Sequence, residues 1–307
     1  MTHEVDDRPA TVRSRIHSRA MRVARDKRAF EGARNTRLRA LRSQAEGDRP
    51  PTRLTRLVRA VETTREHGLT TWIVRPRRDA PRVRVVYLHG GGYIHPLTPD
   101  YWRLVRALAT TPAEVVMPAY PLAPAATADD VVPRLLELVR TPSDLPTVVM
   151  GDSAGGALVI VLAQQLRDAG DEQPAGLIAL CPWLDATLDE DEVSSLESSD
   201  PMLAESGLRA AGRWWAGQRQ PDDPLVSPLF GVLNGLAPLD VWIGDRDILR
   251  PAVDELERRA SGADLRLAIH EVPAMFHVWM THWFPEAQRT RRALIARLIE
   301  LSPRRPK

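Results

Sequence analysis

The chain of 307 residues is 43% hydrophobic and 27% charged, which supplies a sizeable core and excludes a wholly disordered protein. Its single cysteine, Cys181, excludes an intramolecular disulfide, and no apolar run approaches the roughly 20 residues that a membrane helix needs. The net charge of +2 is segregated: residues 1–67 hold 17 Lys and Arg against 9 Asp and Glu, while the rest holds 25 against 31.

Residues 1–28 are polar and Arg-rich with no apolar signal core, so a cytoplasmic protein is expected. From 9 to 66 the pattern predicts two or three helices broken at Gly32, Gly47 and Pro50-Pro51. Apolar residues recur there at helical spacing, as in Ile16, Ala20, Val23 and Leu38, Leu41. The arginines between them read as the solvated face of those helices. A nucleic-acid or anionic-lipid role is the competing reading, and with Phe30 the one aromatic among the arginines, no nucleic-acid partner is expected.

From Thr71 onward, short β-branched runs alternate with helical patterns. Strands are predicted at Trp72–Val74, Val83–Leu88, Val115–Pro118, Thr147–Met150, Leu177–Leu180, Leu239–Ile243 and Leu265–His270. Helices are predicted at Tyr101–Ala109, Ala128–Arg140, Ala154–Asp168, Arg250–Ala260 and Pro285–Leu301. This alternation implies an α/β fold with a mostly parallel central sheet flanked by helices, the first strands being candidates for antiparallel pairing. Residues 183–235 break the rhythm and read as an insertion with a helix near Leu203–Trp215. The expected organisation is an N-terminal helical cap segment at 1–67, a catalytic domain at 68–182 and 236–307, and a cap insertion at 183–235.

Gly151-Asp152-Ser153-Ala154-Gly155 joins an apolar strand directly to a helix. In that context G-x-S-x-G marks a nucleophilic serine on a tight turn, with small residues where strand and helix nearly touch. The helix N-terminus adds positive potential for a developing oxyanion. A serine hydroxyl is a weak nucleophile without a base, so a histidine is required elsewhere.

Upstream, a strand ends in His89-Gly90-Gly91-Gly92-Tyr93. Its glycines let the backbone approach a ligand closely, and the amides of Gly91, Gly92 and Ala154 are the expected oxyanion donors, each typically worth about 3 kcal/mol of barrier. His89 reads as a residue that orders the loop.

These two motifs together resemble the hormone-sensitive-lipase-like esterases, the bacterial HGGG branch of the α/β-hydrolase fold, over residues from about 70 to 300. Tyr120-Pro121-Leu122-Ala123-Pro124 is similar to that family's Y-R-L-A-P segment, with Pro121 in place of Arg. The resemblance implies a helical cap over the active site, formed by the N-terminal segment and the insertion. It also implies an acid and a histidine following the serine in that order.

Gly244-Asp245-Arg246-Asp247-Ile248-Leu249-Arg250 resembles the family's acid segment with its aspartate at Asp247, and Asp245 is the competitor. After Asp247 stand His270, His277 and His282. His277, in Pro273-Ala274-Met275-Phe276-His277, resembles the family's G-M-x-H, with Ala274 where glycine is common. The expected triad is therefore Ser153, Asp247 and His277, spaced by 94 and 30 residues.

Tyr93, Asp152, Trp183, Trp214 and Trp215 are the candidate substrate contacts, Cys181-Pro182-Trp183 being a possible acyl-side wall. The resemblance favours small to medium acyl esters. Amide hydrolysis with the same triad and a ligand-binding protein on a hydrolase scaffold are the alternatives. No metal cluster or organic cofactor is implied, and a homodimer is compatible with the family.

Overall fold

The structure, a computed structural model, describes residues 1–24, 26–48, 60–76, 80–189 and 191–302. Nine strands form one sheet: β1 Thr2–Val5, β2 Ala60–Glu66, β3 Leu69–Arg75, β4 Val83–Leu88, β5 Ala113–Ala119, β6 Thr147–Asp152, β7 Gly176–Leu180, β8 Leu239–Gly244 and β9 Leu267–Val272. Their order is β1-β9-β8-β7-β6-β4-β5-β3-β2. Every pairing from β1 to β5 is parallel, and β3 pairs antiparallel with both β5 and β2. The middle strands β4, β7 and β8 are buried at every residue, which accounts for their mostly apolar runs, interrupted by Arg84 in β4 and Asp240 in β8.

The helices are α1 Val12–Ala24, α2 Ala33–Glu46, α3 Tyr101–Leu108, α4 Ala128–Arg140, α5 Ala154–Asp168, α6 Asp191–Glu197, α7 Glu205–Ala216, α8 Arg250–Ala260 and α9 Pro285–Glu300. Of these, α5 is the most enclosed, with almost all of its residues buried behind β6 and β7. Because α5 follows β6 without a linker, the turn between them sits at the C-terminal edge of the sheet, where open α/β sheets form their clefts.

Three expectations need correction. The helical reading of residues 9–66 fails at its end, where Ala60–Glu66 is a strand. Glu66 pairs with Leu69, leaving His67-Gly68 as a two-residue hairpin loop with φ of 52° and 75°. That turn fits the twist of the strands, and the β-branched Thr63 and Thr64 suit the pleat. Thr2–Val5 is an unexpected edge strand beside β9; four exposed residues carry no alternation to read. The last strand extends to Val272, so His270 lies within it. Breaks at Gly32 and Gly47 do bound α2, whereas Pro50-Pro51 lies outside the described residues.

The insertion and the N-terminal segment pack on each other above this edge. At Gly207 of α7 a Cβ would meet the Phe30 carbonyl oxygen at 2.0 Å, so the two backbones touch. The N-terminal segment also clamps the loops after β4 and β5: Gln44 Nε2 donates to the carbonyls of Ile94 and Ala123, both at 2.8 Å, and Asp48 accepts from the Leu97 amide at 2.9 Å.

Candidate active site

Ser153 occupies the single residue between β6 and α5, with φ 53° and ψ −119°. An L-residue pays steric strain there, so the surroundings must hold it. They do: its amide donates to Leu180 at 2.8 Å, and its carbonyl accepts from Ala157 and Trp183 at 3.1 and 3.0 Å. The flanking glycines are required by contact. A Cβ on Gly155 would lie 2.0 Å from the Leu88 carbonyl oxygen, and one on Gly151 would lie 2.4 Å from that of Gly155.

The loops after β8 and β9 bring Asp247 and His277 together. His277 Nδ1 lies 2.7 Å from Asp247 Oδ2, both side chains buried, and Asp247 Oδ1 accepts the Leu249 amide at 3.0 Å. Burial alone would lower the His277 pKa. The charge and hydrogen bond of Asp247, followed by the charges of Asp200 and Asp152, outweigh burial and raise it. Asp245, the competitor, is half-buried and among the described residues has no hydrogen bond to His277; burial raises its pKa. His270 stacks on Trp242 at 4.3 Å within the sheet, and His282 pairs with His17. Ala274 adopts φ 61°, the backbone conformation for which glycine is favoured.

Gly91, Gly92 and Tyr93 have successive positive φ of 97°, 62° and 62°. Among the described residues, the amides of Gly91, Gly92 and Ala154 donate to no protein group. Asp152 anchors this loop from beneath. It accepts hydrogen bonds from Tyr87 Oη at 2.8 Å, the Gly90 amide at 3.1 Å and Tyr101 Oη at 3.2 Å. Burial pushes its pKa up to about 6 despite those donors. His89 stacks on Tyr120 at 4.2 Å and pairs through Nδ1 with the Gly90 carbonyl, burial holding it neutral with a pKa of about 4.

Ser153, His277, Gly91, Gly92 and Asp152 line one cleft of about 290 Å³, walled by Phe30, Tyr101, Met202, Leu203, Val278 and His282. No hydrogen bond joins Ser153 to His277 among the described residues. Such contacts in unliganded sites commonly tighten only when substrate binds.

Four of the expected substrate contacts do not line this cleft. Tyr93 stacks on Trp215 at 4.2 Å with planes 2° apart, and on Trp183 at 5.5 Å. All three rings are fully buried and form the packing beneath the glycine loop. Trp214, one helix position from Trp215, is half-buried against the core. Large aromatics close to a site pattern look alike in sequence whether they pack or bind. Cys181 is also core: its Sγ accepts the Val278 amide at 3.3 Å beneath the His277 loop, and burial raises its pKa.

Asp200 was not legible as a site residue. It lies in the excursion between β7 and β8, buried, and accepts the Met202, Leu203 and Ile248 amides at 2.7, 3.0 and 3.2 Å. It thus ties a cleft wall to the residue after Asp247. Burial, then the neighbouring Asp247 charge, pushes its pKa up to about 6. Asp200-Pro201 signals a turn in sequence, but not the long-range reach of the second oxygen.

The sequence profile of the α/β-hydrolase fold family matches residues 85–281. An acetyl-hydrolase from Streptomyces hygroscopicus is 32% identical over 234 residues, covering 73% of this chain and 77% of the relative. A triacylglycerol lipase from Mycobacterium tuberculosis is 32% identical over 246 residues, 77% of this chain and about half, 52%, of the lipase. An esterase from the bacterial hormone-sensitive lipase family superposes with a TM-score of 0.81 over 95% of this chain and 99% of that one; at 23% identity this likeness concerns the fold. The chain belongs to the α/β-hydrolase fold family.

Proposed function

We propose that the protein hydrolyses short to medium carboxylic esters, with Ser153 as nucleophile, His277 as general base and Asp247 as the acid that orients it. The observation that carries this reading is the 2.7 Å contact between His277 Nδ1 and buried Asp247, in a cleft that Ser153 and His277 share. A proton on Nδ1 satisfies the carboxylate and leaves the lone pair on Nε2 for the serine.

In the first half-reaction His277 Nε2 takes the Ser153 hydroxyl proton as Oγ bonds to the ester carbonyl carbon. The carbonyl π electrons move to oxygen, and the free amides of Gly91, Gly92 and Ala154 donate to that oxyanion. Collapse of the tetrahedral species breaks the carbon–alkoxy bond, and His277 returns the proton to the departing alcohol. Water, deprotonated by the same nitrogen, then bonds to the acyl carbon; the carbon–Oγ bond breaks, His277 returns the proton to Ser153 Oγ, and the acid leaves.

A cleft of about 290 Å³ lies at the small end of ligand sites. Met202, Leu203, Phe30 and Val278 supply apolar walls, which suits a short acyl or alcohol chain better than a long one. A p-nitrophenyl ester series from acetate to decanoate tests this: kcat/KM should peak among the short chains and fall toward decanoate. Matched anilides run in parallel should react far more slowly, and faster amide cleavage would contradict the ester reading.

A further inference from the structure

The helix α1 turns one side to the protein. Ser14, Ser18 and Met21 are buried, and its start is bound to buried Glu286, which accepts from the Thr11 amide at 2.5 Å and Ser14 Oγ at 3.0 Å. Its outward side carries Val12, Ile16 and Val23, exposed at 62%, 63% and 77%. At 3.6 residues per turn these fall in one stripe about 16 Å long. Arg15, Arg19 and Arg22 border the stripe on one side and Arg13 on the other.

Arg15, Arg19 and Arg22 share a groove of about 560 Å³ with Arg246, from the loop that carries Asp247. Among the described residues Arg13, Arg15 and Arg19 bridge no carboxylate, whereas Arg22 donates to the Ser199 carbonyl at 2.6 Å and Arg246 acts on the charge of Asp245. On the surface Arg140, Arg209 and Arg219 each bridge two acidic residues, a neutralisation that Arg13, Arg15 and Arg19 of α1 lack. Trp283 is 53% exposed and meets His17 of α1 edge-on at 5.9 Å.

We propose that the outward face of α1, with Trp283 beside it, is a contact surface for an anionic phospholipid bilayer. The aliphatic stripe enters the headgroup–acyl boundary, Trp283 sits at the interface and the arginines meet lipid phosphates. A nucleic acid would use the arginines but leave three aliphatic side chains in water. A second copy packed face to face about a two-fold axis would set arginines against arginines with no carboxylate on the face to relieve them. Only a charged surface with an apolar interior satisfies both halves of the helix.

The inner side of the same helix backs the cleft. His17 Nε2 lies 3.0 Å from His282 Nδ1, and His282 lines the cleft with Thr281 and Ser153. A bilayer held by α1 therefore lies one helix away from the cleft, which would bring esters dissolved in the membrane close to it; this last clause rests on the ester-hydrolase reading.

The test is sedimentation of the full chain with vesicles of phosphatidylcholine alone and of phosphatidylcholine with roughly a third phosphatidylglycerol. Binding is expected to the anionic vesicles and to fall as salt rises. Arg15→Gln with Arg19→Gln should lower partitioning roughly thirtyfold, and Ile16→Ser with Val23→Ser roughly tenfold or more. Both pairs should keep the parent turnover of soluble p-nitrophenyl butyrate, which shows that they fold. The proposal is overturned if anionic vesicles are not bound. It is equally overturned if the Ile16/Val23 pair binds like the parent, as plain polyanion attraction would, or if that pair instead converts a dimer to a monomer. Vesicle binding by a protein that leaves esters intact would sink the ester reading and keep this one.

Discussion

His277 and Asp247 are joined by a 2.7 Å contact in which neither side chain is open to solvent. The second carboxylate of the same loop, Asp245, is turned elsewhere with one oxygen buried and unpartnered. Asp247→Asn should therefore cost about 10⁴-fold in kcat, because an amide there accepts the wrong imidazole tautomer. Asp245→Asn should retain most of the parent rate. Steady-state rates on p-nitrophenyl butyrate separate the two, and the opposite pattern would move the acid to Asp245.

The pH profile follows from the charges around His277. The base must be neutral, so kcat/KM rises as pH passes its pKa, and the Asp247 charge sets that limb above the ordinary imidazole value of 6.5. Asp200, itself titrating at about 6, carries its charge across this limb and favours the imidazolium. Asp200→Asn removes that charge, so the acid limb should move to lower pH. It should also raise KM, because the amide nitrogen cannot accept the Ile248 amide and the Met202–Leu203 wall loses its tie to the Asp247 loop. A fall in kcat/KM with an unmoved limb would mark Asp200 as a purely structural residue.

The close approach of α5 to β4 is an all-or-none constraint. Gly155→Ala sets a methyl 2.0 Å from a backbone oxygen that cannot rotate away. A loss of at least about 3 kcal/mol is expected, beyond ordinary overpacking because backbone must move. Gly170→Ala is the control: its site is open, and only its φ of 73° opposes the change, at about 1 kcal/mol. Urea unfolding of the two variants checks the contrast.

The cleft walls set chain length in this account, and the tryptophans do not. Met202→Trp should move the preferred acyl chain toward acetate, since the added ring fills a cavity of about 290 Å³. Trp214→Ala should leave the chain-length profile unchanged. A reversed outcome in the ester series would return the tryptophan to the site.

Most of the sheet was legible because β4, β6, β7 and β8 are almost wholly buried and so write their burial as largely apolar runs, with Arg84 and Asp240 as interruptions. The elbow was legible for a local reason: Gly151, Ser153 and Gly155 are adjacent in sequence as well as in space. Asp200 and Gln44 were not, since each acts through a contact to a distant backbone, and neither residue type announces its partner. The edge strand β1 escaped because four exposed residues leave no hydrophobic record. Tyr93, Trp183 and Trp215 could be read as packing or as binding residues, since their neighbourhood to the motifs is real; their rings face one another.

The central claim is that Ser153 Oγ attacks the substrate. Labelling with a fluorophosphonate probe alongside p-nitrophenyl butyrate turnover, on the parent and on Ser153→Ala, tests it most directly. The account predicts stoichiometric labelling of the parent, none of the variant, and a loss of roughly 10⁶-fold in kcat. Turnover or labelling that survives in Ser153→Ala would contradict it.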